Sequence, residues 1–195
     1  MKKLVLAVFA LLIVSACAFT EDAVTVRYTA PANLAVVPGA EAVSVAVTPV
    51  DGRVANRDRV SSKKNGYDME TARIVATNDV VGEVAEAIKA ELASLGFTIG
   101  DGGVAIVVET QTFYNDFKLG FWSSEAVAEV AFMLTARKPD GTLIYSRAYR
   151  AVGMNKEIML MTGEAAEPAL DEALRNAVLQ VANDTDLQTA LMAAR

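Results

Sequence analysis

"ARIVATNDVVGEVAEAIKAELASLGFTIG", residues 72–100, decides the fold. Arg73 to Ala76 reads as a short strand. Asn78 or Asp79 then stands where a helix N-cap belongs, because a short side-chain oxygen there can accept a bond from a free N–H of the first turn. Val81, Val84, Ile88, Leu92 and Leu95 follow at spacings of 3, 4, 4 and 3, which puts them in one stripe along a helix. Gly96 occupies the position of a C-terminal cap, and Phe97-Thr98-Ile99 opens a new strand. Strand, one-sided helix and strand together specify a helix laid on a sheet.

The flanking stretches supply the sheet. Upstream, "AVSVAVTPV" (42–50) puts Val43, Val45 and Val47 on one face. Downstream, "VAIVVETQTFYNDF" (104–117) is a long strand, and residues 125–153 form a hairpin about the turn Pro139-Asp140-Gly141. Before that turn Ala128, Val130, Phe132 and Leu134 face one way, and Glu129, Met133, Thr135 and Arg137 the other. After it Ile144, Ala148 and Val152 alternate with Tyr145, Arg147 and Tyr149, which predicts an apolar face and a mixed face. In the C-terminal part Leu170, Leu174, Val178 and Val181 repeat at 4, 4 and 3, and Asp184 or Thr185 can cap a last short helix. The expected fold is α+β: a single mixed or antiparallel sheet with two main helices packed on one face. The stretch between residues 51 and 68 is polar and turn-rich, and carries Arg53, Arg57, Arg59, Lys63 and Lys64; it reads as a long exposed loop.

The N-terminus is of another kind. Lys2 and Lys3 precede an eleven-residue apolar run, Leu4 to Val14, too short for a spanning helix of roughly 20 residues. Val14-Ser15-Ala16-Cys17 follows, and Cys17 is the only cysteine of the 195 residues. These four residues resemble a bacterial lipobox. The resemblance implies cleavage between Ala16 and Cys17, a diacylglycerol thioether on Cys17 and acylation (palmitate) of the new amine, and several chains anchor firmly where one does not. Ala18 follows in place of an aspartate, which by the sorting pattern of enteric-type lipoproteins implies the outer membrane with the body in the periplasm. The division expected is a lipoprotein signal peptide (1–16), a lipidated N-terminus and tether (17–40) and a single α+β periplasmic domain (41–195). Within the tether, Val24, Val26 and Tyr28 alternate and could instead add an edge strand.

Composition narrows the chemistry. Residues 1–16 hold Lys2 and Lys3 and no acid, so their removal leaves 179 residues and takes the formal charge from −6 to −8. That balance argues against general nucleic-acid or anionic-membrane binding. Histidine is absent, which removes Ser-His-Asp and Cys-His catalysis and His-based zinc sites. With its one thiol lipidated the body has no disulfide and stands on its core.

The lipobox, "IVATNDVVGEVAEAIKAELASLGFTIGDGG", "YRAVG" after the hairpin and the ending "ALRNAVLQVANDTDLQTAL" together resemble the YajG-type bacterial lipoprotein family, over nearly the whole mature chain. The resemblance implies an outer-membrane lipoprotein without an assigned activity. It lends no catalytic residue and carries over only the lipid cysteine, Cys17.

No motif for chemistry stands out. "GDGG" (100–103) lacks a following Lys-Ser/Thr and reads as a turn, and "NDTD" (183–186) reads as a helix cap rather than a calcium loop. Glu125 and Glu129 would lie about 13 Å apart along a strand, too far for paired glycosidase carboxylates. No enzyme, cofactor or metal is therefore expected. The candidate partner-binding residues are Phe113, Tyr114, Phe117, Phe121 and Trp122, crowded into ten residues, together with Tyr145, Arg147 and Tyr149 on the mixed face. The basic loop from Arg53 to Lys64 is a third and weaker candidate, for acidic partners or lipid head groups. The leading function is a non-enzymatic, lipid-anchored module for an envelope protein partner. The alternatives are a carrier of a small apolar ligand (a lipid or peptidoglycan fragment) and an unrecognised hydrolase using lysine and carboxylate chemistry, Ser61-Ser62-Lys63-Lys64 being one place where a lysine could serve as base.

Overall fold

The computed structural model describes residues 20–31, 35–120 and 123–194. They form eight strands and three α-helices: β1 (Asp22–Val24), β2 (Ser44–Asp51), β3 (Ser61–Lys64), β4 (Glu70–Ala76), α1 (Val80–Ser94), β5 (Thr98–Ile99), β6 (Val104–Leu119), β7 (Ser124–Arg137), β8 (Leu143–Ile158), α2 (Gly163–Ala182) and α3 (Thr185–Met192). The fold is mixed α+β, but its strands make two sheets where the sequence pattern suggested one. A five-stranded sheet runs β5-β2-β6-β7-β8 and a three-stranded sheet runs β1-β4-β3.

The two sheets meet along β6. Its first half pairs in parallel with β2, from Val45 opposite Val104 to Asp51 opposite Thr110. There β2 ends while β6 runs on to Leu119. The vacated edge is taken by β3: the Asn115 N–H donates to the Val60 carbonyl at 2.7 Å, and Ser61 Oγ donates to the Asn115 carbonyl at 2.9 Å. The strand that does this is Ser-Ser-Lys-Lys, with no apolar alternation to reveal it. Residues 61–64 are thus a strand and not part of a long exposed loop.

The helices form where the periodicity puts them. Asp79 caps α1, its Oδ1 accepting from the Val81 N–H at 3.1 Å, and Val81, Val84, Ile88, Leu92 and Leu95 are all buried. Gly96 takes a φ of +100°, which only glycine enters without strain. On α2, Leu170, Leu174, Val178 and Val181 are buried against β7 and β8, beside Ala166, Ala169, Ala173 and Ala177.

The small residues of α2 meet a small residue of the sheet. A Cβ placed on Gly153 would lie 2.2 Å from the Ala169 carbonyl oxygen and 2.4 Å from the Ala173 nitrogen, so the helix backbone rests directly on β8. At this distance α2 also reaches round the free edge of β8. Glu172, Asn176 and Gln180, one turn apart each, bond the Met154 N–H (2.7 Å), the Val152 carbonyl (3.2 Å) and the Arg150 carbonyl (2.9 Å). A long edge strand would otherwise offer these groups to another chain.

The segment read as a tether is largely part of the body. Asp22–Val24 pairs in parallel with Ile74–Ala76. Beyond it, side chains stand in for a pairing strand: Asn78 bonds both the N–H and the carbonyl of Val26, Asp171 accepts from the Arg27 N–H and Glu83 from the Tyr28 N–H. Val24 and Val26 are buried, so the alternation of Val24, Val26 and Tyr28 was the informative signal.

Gly153→Ala should destabilise the protein by roughly 3 kcal/mol, because its new methyl meets helix backbone that cannot yield. Gly141→Ala, at a turn with φ +86° and open space around it, should lose only about 1 kcal/mol, from backbone strain. Equal losses in urea denaturation would mean that the close helix–sheet approach does not limit stability.

Candidate functional site

The aromatic stretch is divided by one residue. The register of β6 against β7 shifts between Thr110 and Thr112, leaving Gln111 as a bulge. Before the bulge Val104, Ile106, Val108 and Thr110 are buried; after it the buried set is Phe113, Asn115 and Phe117. Without the inserted residue, even-numbered positions would stay inside and Phe113 and Phe117 would face out. Both are instead core residues, which corrects their assignment to a binding surface. Tyr114, on the other face, places its hydroxyl 2.6 Å from Ser62 Oγ and holds β3 onto β6. Phe121 and Trp122 lie outside the described residues, as do Ala16 and Cys17.

A second irregularity governs β8. Tyr145 pairs with Ala136 but Leu143 with Arg137, so Ile144 is the extra residue beside the hairpin turn. Tyr145, Arg147, Tyr149, Ala151 and Gly153 then share the side of Ala136, Leu134, Phe132, Val130 and Ala128, under the helices. The expected faces of β8 are reversed: Ala148 and Val152 point outward.

Tyr145, Arg147 and Tyr149 do come together, on Asp184. Its Oδ2 accepts from the Tyr145 hydroxyl at 2.6 Å, Arg147 Nη1 at 2.7 Å and the Tyr149 hydroxyl at 2.8 Å. Its Oδ1 caps α3, accepting from the N–H groups of Asp186 and Leu187 at 3.0 Å each. The Asp184 side chain is 2% exposed. Burial alone would raise its carboxyl, but the bonds from Tyr145, the Leu187 N–H, Tyr149 and Arg147 outweigh it and hold it well below the usual carboxylate range. Burial, the neighbouring Tyr145 hydroxyl and the Asp184 carboxylate push the Tyr149 phenol up. Tyr149 also stacks tilted on Phe132, ring centres 5.5 Å apart. A carboxylate with five donors is a clasp that pins α3 to β8. The residues that sequence alternation offered to a partner are joined to the fold by an aspartate for which the sequence signalled only a cap.

The basic stretch is likewise braced. Arg53, buried, forks onto the Asp51 carboxylate at 2.9 and 3.0 Å. Arg57 bonds the Arg53 and Asp51 carbonyls, Arg59 pairs with Asp58 and Glu70, Lys63 lies 3.6 Å from Asp22, and Lys64 bridges Asp116 at 2.6 Å and Asp68 at 3.0 Å. Ser61 and Ser62, the basis of a hydrolase reading, are buried and bonded to Asn115 and Tyr114. Among the described residues no three acidic or thiol side chains converge as metal ligands.

A family model described as "Uncharacterized lipoprotein" matches residues 30–192. No curated protein matches the sequence. Among solved structures, a Xanthomonas campestris protein superposes with a TM-score of 0.61 at 15% identity, over 90% of this chain and 100% of that one. An uncharacterized protein superposes at 0.51 and 10% identity, over 84% and 97%. A minor lipoprotein from Acinetobacter baumannii gives 0.46 at 8% identity, over 75% and 94%. At such identities the first two likenesses speak for the fold alone.

Asp184→Asn should keep the cap but lose the charge that its three side-chain donors share, lowering stability at neutral pH by about 2 kcal/mol. Because folding lowers the Asp184 pKa, its contribution is present above the unfolded value of about 3.9 and is lost as pH falls through the acid range. The two stability curves should therefore converge below about pH 4. Parallel melting profiles from pH 7 to pH 3 would show that the clasp is idle.

Proposed function

The chain belongs to this family of uncharacterised lipoproteins, and from that premise we propose that it is a lipid-anchored accessory module of the outer membrane, its body in the periplasm, acting by binding an envelope partner rather than by catalysis. The observation that carries the reading is the spacing between the lipobox and the fold. Cys17 precedes the first residue of β1, Asp22, by five positions, a reach of at most about 18 Å. A lipid on Cys17 would hold the folded body against the bilayer.

The use of the polar side chains supports binding over chemistry. Asp184, Arg53, Lys64 and Ser61 each spend their hydrogen-bonding capacity on the fold. An apolar-ligand carrier would need a cavity between helices and sheet. There Ile106, Phe132, Leu134, Leu170 and Leu174 sit fully buried against one another. The groove of about 290 Å³ that opens beside α2 is bordered by the charged Arg27, Asp171, Glu172 and Arg175, with Met154 and Pro168 beside them. Phe121 and Trp122 remain the candidate partner contacts from the original aromatic set.

Cys17→Ala should leave the chain uncleaved by the lipoprotein pathway, without palmitate, and absent from sedimented outer membranes. Palmitate labelling and cell fractionation read both effects. A Cys17→Ala variant that is still acylated and still found in the outer membrane defeats the anchoring claim. A photo-crosslinker at Trp122, with one at Thr189 as control, reports on the partner; no discrete adduct in anchored protein would count against it.

A further inference from the structure

Three connections converge at one end of the molecule. Leu119, the last residue of β6, pairs with Ser124, and Ser124 pairs with Ile158 at the end of β8. The β6–β7 turn and the β8–α2 loop are thus neighbours. Lys64 bridges Asp116 of β6 to Asp68 in the β3–β4 turn, which brings that turn to the same end. Large apolar side chains stand on these connections: Tyr67 is 86% exposed, Met69 57%, Leu119 42%, Met159 83% and Leu160 72%. Val36, Val50, Val54, Ile99, Leu143, Val152 and Met154 are exposed at other positions; what sets these five apart is that they stand together on neighbouring connections.

β1 begins towards this end too, with Asp22 opposite Ile74 and 3.6 Å from Lys63. Asp22 Oδ2 accepts from the Gly163 N–H at 2.9 Å, immediately after the loop that carries Met159 and Leu160. The other end of the hairpin, with the exposed Leu143, is a 14-residue strand away, roughly 40 Å. A lipid on Cys17, five residues before Asp22 and so within about 18 Å of it, has the apolar tips within reach.

We propose that this end is a bilayer-seating surface: Tyr67, Met69, Leu119, Met159 and Leu160 dip into the headgroup region of the membrane that holds the lipid on Cys17. The inference rests on the anchoring proposed above. Scattered tips on turns suit a fluid interface, where each side chain inserts on its own, and tyrosine and methionine tolerate its mixed polarity. Charges around the tips are of both signs, with Lys118 and Lys156 beside Glu125 and Glu157, so apolar insertion and not attraction to anionic lipid supplies the seating. The seated body would stand with its strands rising from the membrane and Leu143 at the far end.

The test uses the full lipidated chain in vesicles of phosphatidylethanolamine and phosphatidylglycerol. With Cys17 lipidated, an introduced cysteine is the only free thiol. Met159→Cys, Leu160→Cys, Tyr67→Cys and Leu143→Cys each take an environment-sensitive fluorophore, quenched by nitroxide-bearing lipids. Labels at 159, 160 and 67 should be quenched at least two-fold more than the label at 143, with no dependence on salt. Equal quenching at all four positions in protein that floats with the vesicles overturns the seating and leaves the anchor standing. Protein that does not float overturns the anchor and the seating together. Shielding of 159 and 160 in native outer membranes but not in lipid vesicles assigns the patch to a protein partner and overturns the bilayer reading.

Discussion

The contact on which the fold turns is the meeting of α2 with Gly153. A helix that rests its backbone on a strand cannot stand off by the usual side-chain layer. The alanines at 166, 169, 173 and 177 and the glycine beneath them permit it. Two arrangements follow. The polar row Glu172, Asn176 and Gln180 falls within reach of the β8 edge and satisfies it. The end of α2 then arrives beside Tyr145, Arg147 and Tyr149, where Asp184 can be both the last link to the sheet and the first of α3. A bulkier residue at position 153 would lift the helix and loosen both.

The N-terminal segment depends on the same helices. Among the described residues no strand pairs with Val26, Arg27 and Tyr28, yet their main-chain groups are bonded by Asn78, Asp171 and Glu83. The Tyr28 hydroxyl donates to Glu91, buried on α1, and burial followed by that bond raises the phenol. Side chains of α2 and of the start of α1 thus hold a stretch of chain that precedes them by some fifty residues or more. The consequence is mechanical. An anchored lipoprotein with a long free tether can tilt and roam, whereas one pinned from Asp22 onward presents a fixed end to its membrane.

What the sequence revealed and what it hid separate along physical lines. Helical stripes average over many turns, so Val81 to Leu95 and Leu170 to Val181 were legible, together with the caps at Asp79 and Asp184. Strand faces do not average: one inserted residue inverts every position beyond it. Gln111 and Ile144 are such residues, and neither has a composition that marks it. They account for Phe113 and Phe117 being core and for Tyr145, Arg147 and Tyr149 facing the helices. The second sheet was hidden for another reason. Ser61 to Lys64 earns its place through hydrogen bonds to the backbone of β6, and an edge made of main-chain groups leaves no apolar signature. The family resemblance, by contrast, rested on order and spacing along the chain, which survive such local inversions, and the family match bears it out.

The bulges also explain where apolar surface was left. By turning Phe113 and Phe117 inward, Gln111 makes two of the five aromatics of the stretch core, and the clasp on Asp184 absorbs the tyrosines of β8. Some of the exposed apolar groups, Tyr67, Met159 and Leu160 among them, stand on turns that strands and helices leave uncovered. On a freely diffusing protein such tips would invite association. Were the chain held to a membrane through Cys17, as proposed, the tips would have within reach a surface that accepts them without any shape-matched partner. On that proposal the place where the chain enters the fold, Asp22, decides whether these side chains are a liability or a foothold.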